Sequence, residues 1–224
     1  MVKKITCYSY LNLELKFEFY NMYLVTPPFF LRWYYNQCTW HGSRKDKTIY
    51  LTFDDGPIPE VTPFVLDVLK KYEIKATFFC VGENISKNTS LFDRLKQEGH
   101  AIGNHTHNHL KGWNQRDEHY LDNVAKCQLH TNTQLFRPPY GRAKRSQLRE
   151  LTKHYKIIMW DVLSGDFDLK LSPKKCLDNV LKNTRNGSII VFHDNIKAIP
   201  RLQYALPRAI ESLLAQGYTF AKLL

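Results

Sequence analysis

The chain has 224 residues, of which 43% are hydrophobic and 24% are charged, with 10 glycines and 10 prolines. This is the composition of an ordinary globular domain, and it excludes collagen-like, low-complexity and intrinsically disordered proteins. No run of about 18 consecutive apolar residues occurs, so we expect no transmembrane segment. At this length, we expect one domain with a sizeable core.

The charge is strongly basic, since 32 Lys and Arg against 21 Asp and Glu give a formal net charge of +11. Such an excess attracts nucleic acids, anionic membranes or acidic polymers. The densest basic stretch lies in an amphipathic helical pattern and comprises Arg142, Lys144, Arg145, Arg149, Lys153 and Lys156. This stretch fits either a solvated helix face or an anion-binding surface. No nucleic-acid recognition motif accompanies it, and we expect no nucleic-acid partner.

The cysteines and the first residues bear on the compartment. The five cysteines are widely spaced and form no C-x-x-C pair: Cys7, Cys38, Cys80, Cys127 and Cys176. This argues against a disulfide framework and a Cys-rich zinc site, and it favours free thiols in a reducing compartment. Polar residues between positions 12 and 18 interrupt the apolar stretch that a secretory signal would need. We therefore expect a cytoplasmic protein.

The N-terminal part is rich in aromatic residues and does not fit a strand–helix alternation. We predict an extension over residues 1–45, followed by one folded domain over residues 46–224. We also hypothesise that Met22 is an internal start, which would place residues 1–21 outside the fold.

From residue 48 onward, short β-rich runs alternate with helical patterns. The predicted strands are Thr48–Phe53, Ala76–Val81, His100–Gly103, Gln134–Arg137, Lys156–Asp161, Ser188–His193 and Tyr218–Lys222. Helix ends are predicted at Gly99, Gly187 and Gly217. Seven strands alternating with six helices imply right-handed βαβ units and a parallel sheet. The sequence thus predicts an α/β fold, a distorted (β/α)7-type barrel with its active site at the C-terminal ends of the strands.

Two adjacent carboxylates, Asp54 and Asp55, close the first predicted strand and precede Gly56 and Pro57. Within a strand they would face opposite sides, and one would enter a core at a severe desolvation cost. At the end of the strand the backbone turns, so both can reach one cleft. A solvated Asp-Asp-Gly turn is the alternative.

Three histidines follow the third predicted strand, at positions 105, 107 and 109. Imidazoles at i and i+4 can share one face of a helical turn, as metal-binding pairs do, which makes His105 and His109 candidates. The glutamate of the H-E-x-x-H zinc motif is absent, so a general base must come from elsewhere. His107 lies on the other face, and a solvated His-rich loop remains the alternative for the pair.

Polar or aromatic groups also follow the later predicted strands. They lie in the segments 136–141, 159–161, 164–167 and 190–194. We expect all of them at one rim of the barrel, because parallel strands end on the same side. Together with the carboxylates and histidines described above, so many strand ends in register are difficult to explain independently.

Four of these segments resemble the motifs of the NodB-like polysaccharide deacetylases, carbohydrate esterase family 4. Residues 52–57 match the T-F-D-D-G-P motif without change, and residues 105–109 match H-[ST]-x-x-H. Residues 137–141 match R-x-P-[FY]-G, and residues 190–193 match L-x-x-H with Ile for Leu. The resemblance runs in order from Thr48 to the C-terminus.

The resemblance implies a metal-dependent hydrolase that removes N-acetyl groups, in preference to O-acetyl groups, from an acetylated carbohydrate. Asp55, His105 and His109 would bind a divalent metal, most often Zn²⁺, with Co²⁺, Ni²⁺ or Mn²⁺ as substitutes. Three protein ligands leave an open position for water and substrate. Asp54 would be the base that takes a proton from the metal-bound water, and Arg137 beside it would favour its ionised form.

The remaining implied roles concern the leaving group and the acetyl group. His193 would protonate the departing amine or alcohol as general acid. The backbone N–H of Tyr140 would stabilise the oxyanion. Trp160 and Ile190 would line a small apolar pocket for the acetyl methyl.

The fourth motif departs from the family pattern D-x-x-D-W, because Leu163 replaces the first acid and Phe167 replaces Trp. Asp166 is the first candidate for the acid that orients the catalytic histidine, and Asp161 is the reserve. The departure also leaves open a second hypothesis, a glycan-binding protein that keeps the metal but has little or no turnover. Oligomeric state and the identity of the sugar are not predicted.

Overall fold

The computed structural model describes residues 23–224. Within that range the strands are β1 (Thr48–Asp54), β2 (Thr77–Cys80), β3 (Ala101–Asn104), β4 (Leu135–Phe136), β5 (Lys156–Ile157), β6 (Val162–Leu163), β7 (Ile189–His193) and β8 (Thr219–Phe220). The α-helices are α1 (Phe29–Tyr34), α2 (Thr62–Lys71), α3 (Gly82–Lys87), α4 (Thr89–Gln97), α5 (Asp117–Thr131), α6 (Arg145–Leu151), α7 (Pro173–Asn183) and α8 (Ile199–Ala215).

The strands form one sheet in the order β5-β4-β3-β2-β1-β7-β6, and β8 pairs with the start of β1. Every strand pair is parallel. This confirms the predicted α/β fold of the (β/α)7-barrel type. Because the strands are parallel, their C-terminal ends, and the loops that follow them, meet at one rim.

The two faces of the sheet have different roles, as the register of β1 and β7 shows. Side chains alternate between faces along a strand. Leu51 and Phe53 of β1 lie beside Ile190 and Phe192 of β7, and all four belong to the core between the sheet and the helices. The alternate position Asp54 lies beside His193, on the face toward the barrel interior.

The helices cover the outer face through apolar stripes. In α8 the buried residues recur every three or four positions, which is the spacing of one helix face. Gly99 and Gly217 follow α4 and α8 with φ of +80°, a conformation that favours glycine, and confirm two of the predicted helix ends. Gly187 has φ of +72° but lies four residues beyond α7, in the turn before β7.

The predicted strand Lys156–Asp161 is wrong in extent. Only β5 forms within it, and β6 follows as a separate strand that the sequence pattern did not indicate. The reason is tertiary: Thr39 donates its N–H to the Ile157 carbonyl (2.7 Å) and accepts from Met159 (2.8 Å), so an earlier segment pairs with this part of the chain.

The described part of the extension packs against the barrel. Cys38 and Trp40 are buried, and the Val25 carbonyl accepts the Leu163 N–H of β6 at 2.8 Å. The predicted division at residue 45 stays a prediction, and the hypothesis about residues 1–21 lies outside the described residues, as does Cys7. The other four cysteines are free and buried. None of the helices between residues 23 and 224 has the length and apolarity needed to cross a membrane.

Candidate active site

The turn after β1 presents the two consecutive carboxylates to one cleft. Asp55 has φ of +88°, so the alternation of side chains breaks there and Asp55 does not point away from Asp54. Gly56 has no room for a side chain, because a Cβ would overlap the Asp194 carboxylate. Asp194 accepts the Gly56 N–H (3.0 Å) and the Thr62 hydroxyl (2.6 Å), which anchors the turn.

Asp55 is oriented toward two imidazoles. Its Oδ2 accepts a hydrogen bond from Asn195 at 2.6 Å. Its Oδ1 is buried without a hydrogen-bond partner and lies 3.0 Å from Nε2 of His109 and 3.7 Å from Nε2 of His105. The three ligand atoms lie within 4.8 Å of one another. A buried carboxylate oxygen that faces two imidazole nitrogens fits a divalent metal, and a His₂Asp donor set suits Zn²⁺ and its neighbours in the transition series.

The histidines meet through a loop rather than the expected helical turn. Residues 105–111 contain no helix, and Thr106 and His109 both have positive φ. His105 Nδ1 lies 2.8 Å from the Arg137 carbonyl, which can only accept, so Nδ1 carries the proton and Nε2 keeps its lone pair. Burial lowers the pKa of His105 to about 4, so the ring is neutral and suited to a metal. His107 stacks instead on His130.

Asp54 lies in a buried ion pair with Arg137. The Arg137 guanidinium donates to Asp54 Oδ1 at 2.6 Å and to the Thr52 hydroxyl at 2.8 Å. Its other nitrogens donate to the carbonyls of Ile158 and Met159, at 3.2 and 3.0 Å. Arg137 is fully buried, and a charge in that position requires a partner and filled donors. Arg137 therefore lies where the resemblance implied.

His193 lies at the end of β7, against Asp166. Its Nδ1 is 2.8 Å from Asp166 Oδ1, and its backbone N–H donates to Asp166 Oδ2 at 2.7 Å. Burial by itself would lower the pKa of His193, but the buried Asp166 carboxylate raises it to about 9. The imidazolium form is therefore favoured at neutral pH.

Asp161, the reserve candidate, is not near His193, which contradicts its expected position. Its N–H donates to the Ile189 carbonyl at the start of β7, and His193 lies four residues further, about 13 Å along an extended strand. Asp161 is buried between Ser188 and arginines that include Arg44, at 2.7 and 2.9 Å. It has a structural environment at the opposite end of the barrel.

The predicted substrate-binding residues divide into two near the site and one away from it. The Tyr140 ring lies 4.7 Å from the His109 ring, and the Trp160 ring packs so closely on Gly141 that a Cβ there would lie 2.5 Å from it. The predicted position of Ile190 in an acetyl pocket is wrong. Ile190 belongs to the core between sheet and helices, because alternation along β7 turns its side chain to the outer face. Val191 is its neighbour on the inner face.

The sequence reasoning missed Asn195, which orients Asp55. Its side-chain oxygen accepts the Ala198 N–H (3.0 Å) at the start of a short 3₁₀ helix, so its amide nitrogen is free to donate to the carboxylate. Asparagine is a typical residue at a helix N-terminus. That preference is the available signal, but it says nothing about a second partner in the loop after the neighbouring strand β1.

Comparisons with known proteins agree with this site. Residues 41–157 match the family described as polysaccharide deacetylase. A peptidoglycan-N-acetylglucosamine deacetylase of Bacillus cereus is 33% identical over 189 residues, which cover 81% of this chain and 89% of the relative. The peptidoglycan-N-acetylmuramic acid deacetylase PdaA of Bacillus subtilis is 34% identical over 193 residues, covering 80% of this chain and 71% of the relative.

Solved structures show the same relationship. A crystal structure of a peptidoglycan N-acetylglucosamine deacetylase, in complex with 4-naphthalen-1-yl-N-oxidanyl-benzamide, matches with a TM-score of 0.81 at 32% identity. The match covers 88% of this chain and 95% of the solved chain. The chain belongs to the NodB-like polysaccharide deacetylases of carbohydrate esterase family 4, as its motifs predicted.

Proposed function

We propose that this protein is a metal-dependent deacetylase that hydrolyses the N-acetyl groups of amino sugars in peptidoglycan, in preference to O-acetyl groups. One observation carries the proposal. A His₂Asp metal-ligand cluster lies at the same rim as a buried carboxylate paired with arginine and a histidine paired with a carboxylate. The sugar class is supported by relatives that act on N-acetylglucosamine and N-acetylmuramic acid in peptidoglycan.

Asp55, His105 and His109 would bind the metal, for which Zn²⁺ is the prediction and Co²⁺, Ni²⁺ or Mn²⁺ are alternatives. When bound, the metal would supply Lewis acidity toward the acetyl carbonyl and the attacking water. Asn195 and the Arg137 carbonyl would orient two of the ligands through their second hydrogen-bonding atoms, as metal ligands require.

Asp54 would accept the proton of the attacking water. Arg137 donates to Oδ1 of Asp54, which leaves Oδ2 for the incoming proton. Loss of that proton makes the water oxygen nucleophilic toward the acetyl carbon. The resulting tetrahedral carbon carries an oxyanion, which the backbone N–H of Tyr140 would stabilise.

His193 would donate a proton to the leaving nitrogen. Asp166 keeps the imidazolium populated at neutral pH, so the proton is available when the C–N bond breaks. The free amine and acetate then leave. Asp166 is a positioning residue in this scheme, because it acts on the substrate only through His193.

The second hypothesis, glycan binding with little turnover, has pseudoenzymes of the same family among the matching solved structures but is not better supported than the first. The fourth motif departs from the family pattern, which put in question the acid that orients His193. Such an acid is present, since Asp166 accepts hydrogen bonds from both the ring and the backbone of His193. A cytoplasmic location, which the cysteines and the first residues led us to expect, is also a proposal. Fractionation of cells that express the full chain tests it.

Acetate release with and without chelator tests the proposed function. The panel holds N-acetylglucosamine oligomers, peptidoglycan fragments and acetylated xylan, with Zn²⁺ or Co²⁺ added. We expect chelator-sensitive acetate from the N-acetylated members. Asp54→Asn should lower kcat by about 10²–10⁴-fold and still bind one metal per chain, because the base is lost but the ligands are intact.

Two further variants make that test specific. His105→Ala should lose both metal and turnover, whereas His119→Ala, an exposed histidine on α5, should keep both. Near-normal turnover in Asp54→Asn would show that the base is another residue. Tight glycan binding without acetate from any member would favour the second hypothesis.

A further inference from the structure

The loops after β3 and β4, which carry His109 and Tyr140, also carry an exposed aromatic side chain and an exposed cation. Trp113 lies four residues after His109, in the 3₁₀ segment Gly112–Asn114, and is 50% exposed. Arg142 lies two residues after Tyr140 and is also exposed. Because consecutive Cα atoms are about 3.8 Å apart, the Arg142 backbone is within about 8 Å of that of Tyr140. Both residues therefore lie on loops that also carry site residues.

The two loops are joined to each other. Gly112 donates its N–H to the Arg142 carbonyl at 2.9 Å, and Trp113 Nε1 donates to the Ala143 carbonyl at 3.0 Å. The guanidinium carbon of Arg142 lies 5.2 Å from the centre of the Trp113 ring. These bonds give the pair a fixed arrangement at a solvent-exposed surface, which lowers the entropy lost on binding.

The Arg142 guanidinium is available to a ligand. Among residues 23–224 no carboxylate lies within 4 Å of it, and its side chain donates no hydrogen bond. The nearby Lys144 differs, because it donates to the Gln115 carbonyl at 2.6 Å. Arg142 thus combines free donors with a position beside the site.

We propose, on the basis of the proposed function, that Trp113 and Arg142 bind the sugar next to the reacting amino sugar and that this sugar carries a carboxylate. The indole would pack on the apolar face of the sugar ring. The guanidinium fork matches a carboxylate in a bidentate geometry. In a peptidoglycan strand the carboxylate is that of the lactyl group on muramic acid or of an attached peptide.

Binding to the Asp54→Asn variant tests this subsite without turnover. The probes are a peptide-free tetramer of alternating N-acetylglucosamine and N-acetylmuramic acid, the same tetramer with methyl-esterified carboxylates, and an N-acetylglucosamine tetramer. Arg142→Gln in that background should raise the Kd of the acidic tetramer about tenfold and leave the other two unchanged, since only one charge-assisted contact is lost. Arg142→Lys should restore part of the affinity, because it keeps the charge and loses the fork.

A matched control exists on α8. Arg208 also lies over an aromatic ring, that of Tyr204 at 4.1 Å, but on a helix that covers the outer face of the barrel. Arg208→Gln should leave all three dissociation constants unchanged. Trp113→Leu should weaken the binding of all three probes alike, since the indole contacts the sugar ring and not the carboxylate.

The same variants, made in the active enzyme with Asp54 intact, test the subsite a second time through KM and kcat. Arg142→Gln should raise KM for the acidic tetramer with kcat unchanged, because the contact is equal in ground and transition states. A fourth probe, the acidic tetramer with attached peptides, is measured in the same way. Equal losses on acidic and esterified probes, or no loss on either acidic probe, would overturn the subsite. A loss confined to the peptide-bearing probe assigns the carboxylate to the peptide. Carboxylate-dependent binding without acetate release would support the subsite and reject the deacetylase.

Discussion

At the residue scale, the site gives two adjacent aspartates different chemistry through their partners. Asp54 ends a strand and is engaged by a buried guanidinium, whereas Asp55 has a left-handed backbone and one oxygen engaged by an amide. The first arrangement suits a base and the second a metal ligand. The motif predicts both residues, but the partners that distinguish them come from β4 and from the loop after β7.

The pH dependence of His193 follows from Asp166. The pKa of His193 is raised to about 9, above its ordinary value near 6.5, so this pair stabilises the fold below pH 6.5 and the contribution is lost as pH rises through about 9. We expect the metal-free protein to show this pKa in an NMR titration of the imidazole. We also expect kcat to fall as His193 loses its proton.

Removal of the carboxylate should reverse the shift. In Asp166→Asn burial is opposed only by the charges of Asp55 and Asp54, so the pKa of His193 should fall from about 9 and the alkaline limb of the rate profile should move to lower pH. Asp168→Asn is the control, because that carboxylate bonds Tyr23 rather than the histidine. An unchanged His193 titration in Asp166→Asn would contradict the positioning role.

At the element scale, the strand ends determine which loops meet. The parallel register brings Asp54 of β1 beside His193 of β7, although 139 positions separate them in the chain. Alternation along β7 then decides that His193 faces the barrel interior and Ile190 does not. The motif at the end of β7 therefore identifies His193 correctly as a residue facing the barrel interior, but it misassigns Ile190, three positions earlier.

A buried histidine at the start of β3 links two strands and predicts acid sensitivity. His100 Nδ1 accepts the Ala76 N–H at 3.1 Å, and burial lowers the pKa of His100 to about 4. The neutral ring stabilises the fold above pH 6.5, and that contribution is lost as pH falls through about 4. Urea unfolding at pH 7 and 4.5 should show about 2–3 kcal/mol less acid destabilisation in His100→Gln than in the wild type.

The difference in acid destabilisation between His100→Gln and the wild type reports on His100 alone. His105 is also buried and neutral, but it is present in both proteins, so its contribution cancels. Glutamine can still accept the Ala76 N–H through its amide oxygen. Parallel pH profiles for the two proteins would show that His100 does not contribute to acid sensitivity.

At the scale of the whole molecule, residues 25–41 complete the barrel. Bonds from Val25 and Thr39 supply partners for β6 and for the segment around β5, which do not pair with each other. Arg32 reaches Asp161 at 2.8 Å. The paired backbone groups and the buried charge give this segment a structural role.

Truncation distinguishes this segment from the residues before it. A chain that begins at Met22 keeps every contact named above and should unfold at the same urea concentration as the full chain. A chain that begins at Gly42 loses the burial of Cys38 and Trp40 and the backbone bonds of Val25 and Thr39. It should be less stable by at least about 3 kcal/mol. Equal stability of all three would contradict the role of residues 25–41, and aggregation of the Met22 chain would contradict the internal-start hypothesis.

The sequence by itself determined the fold class, because alternating strands and helices define a parallel barrel whose strand ends meet at one rim. Through the resemblance of its motifs to the family, it also gave the candidate metal ligands and Asp54, Arg137 and His193 as candidate site residues. Only the tertiary structure decided which carboxylate pairs with His193, which face Ile190 occupies, and how Thr39 and Val25 close the barrel. Those outcomes depend on register and on contacts between distant segments, which a local pattern of residues does not encode.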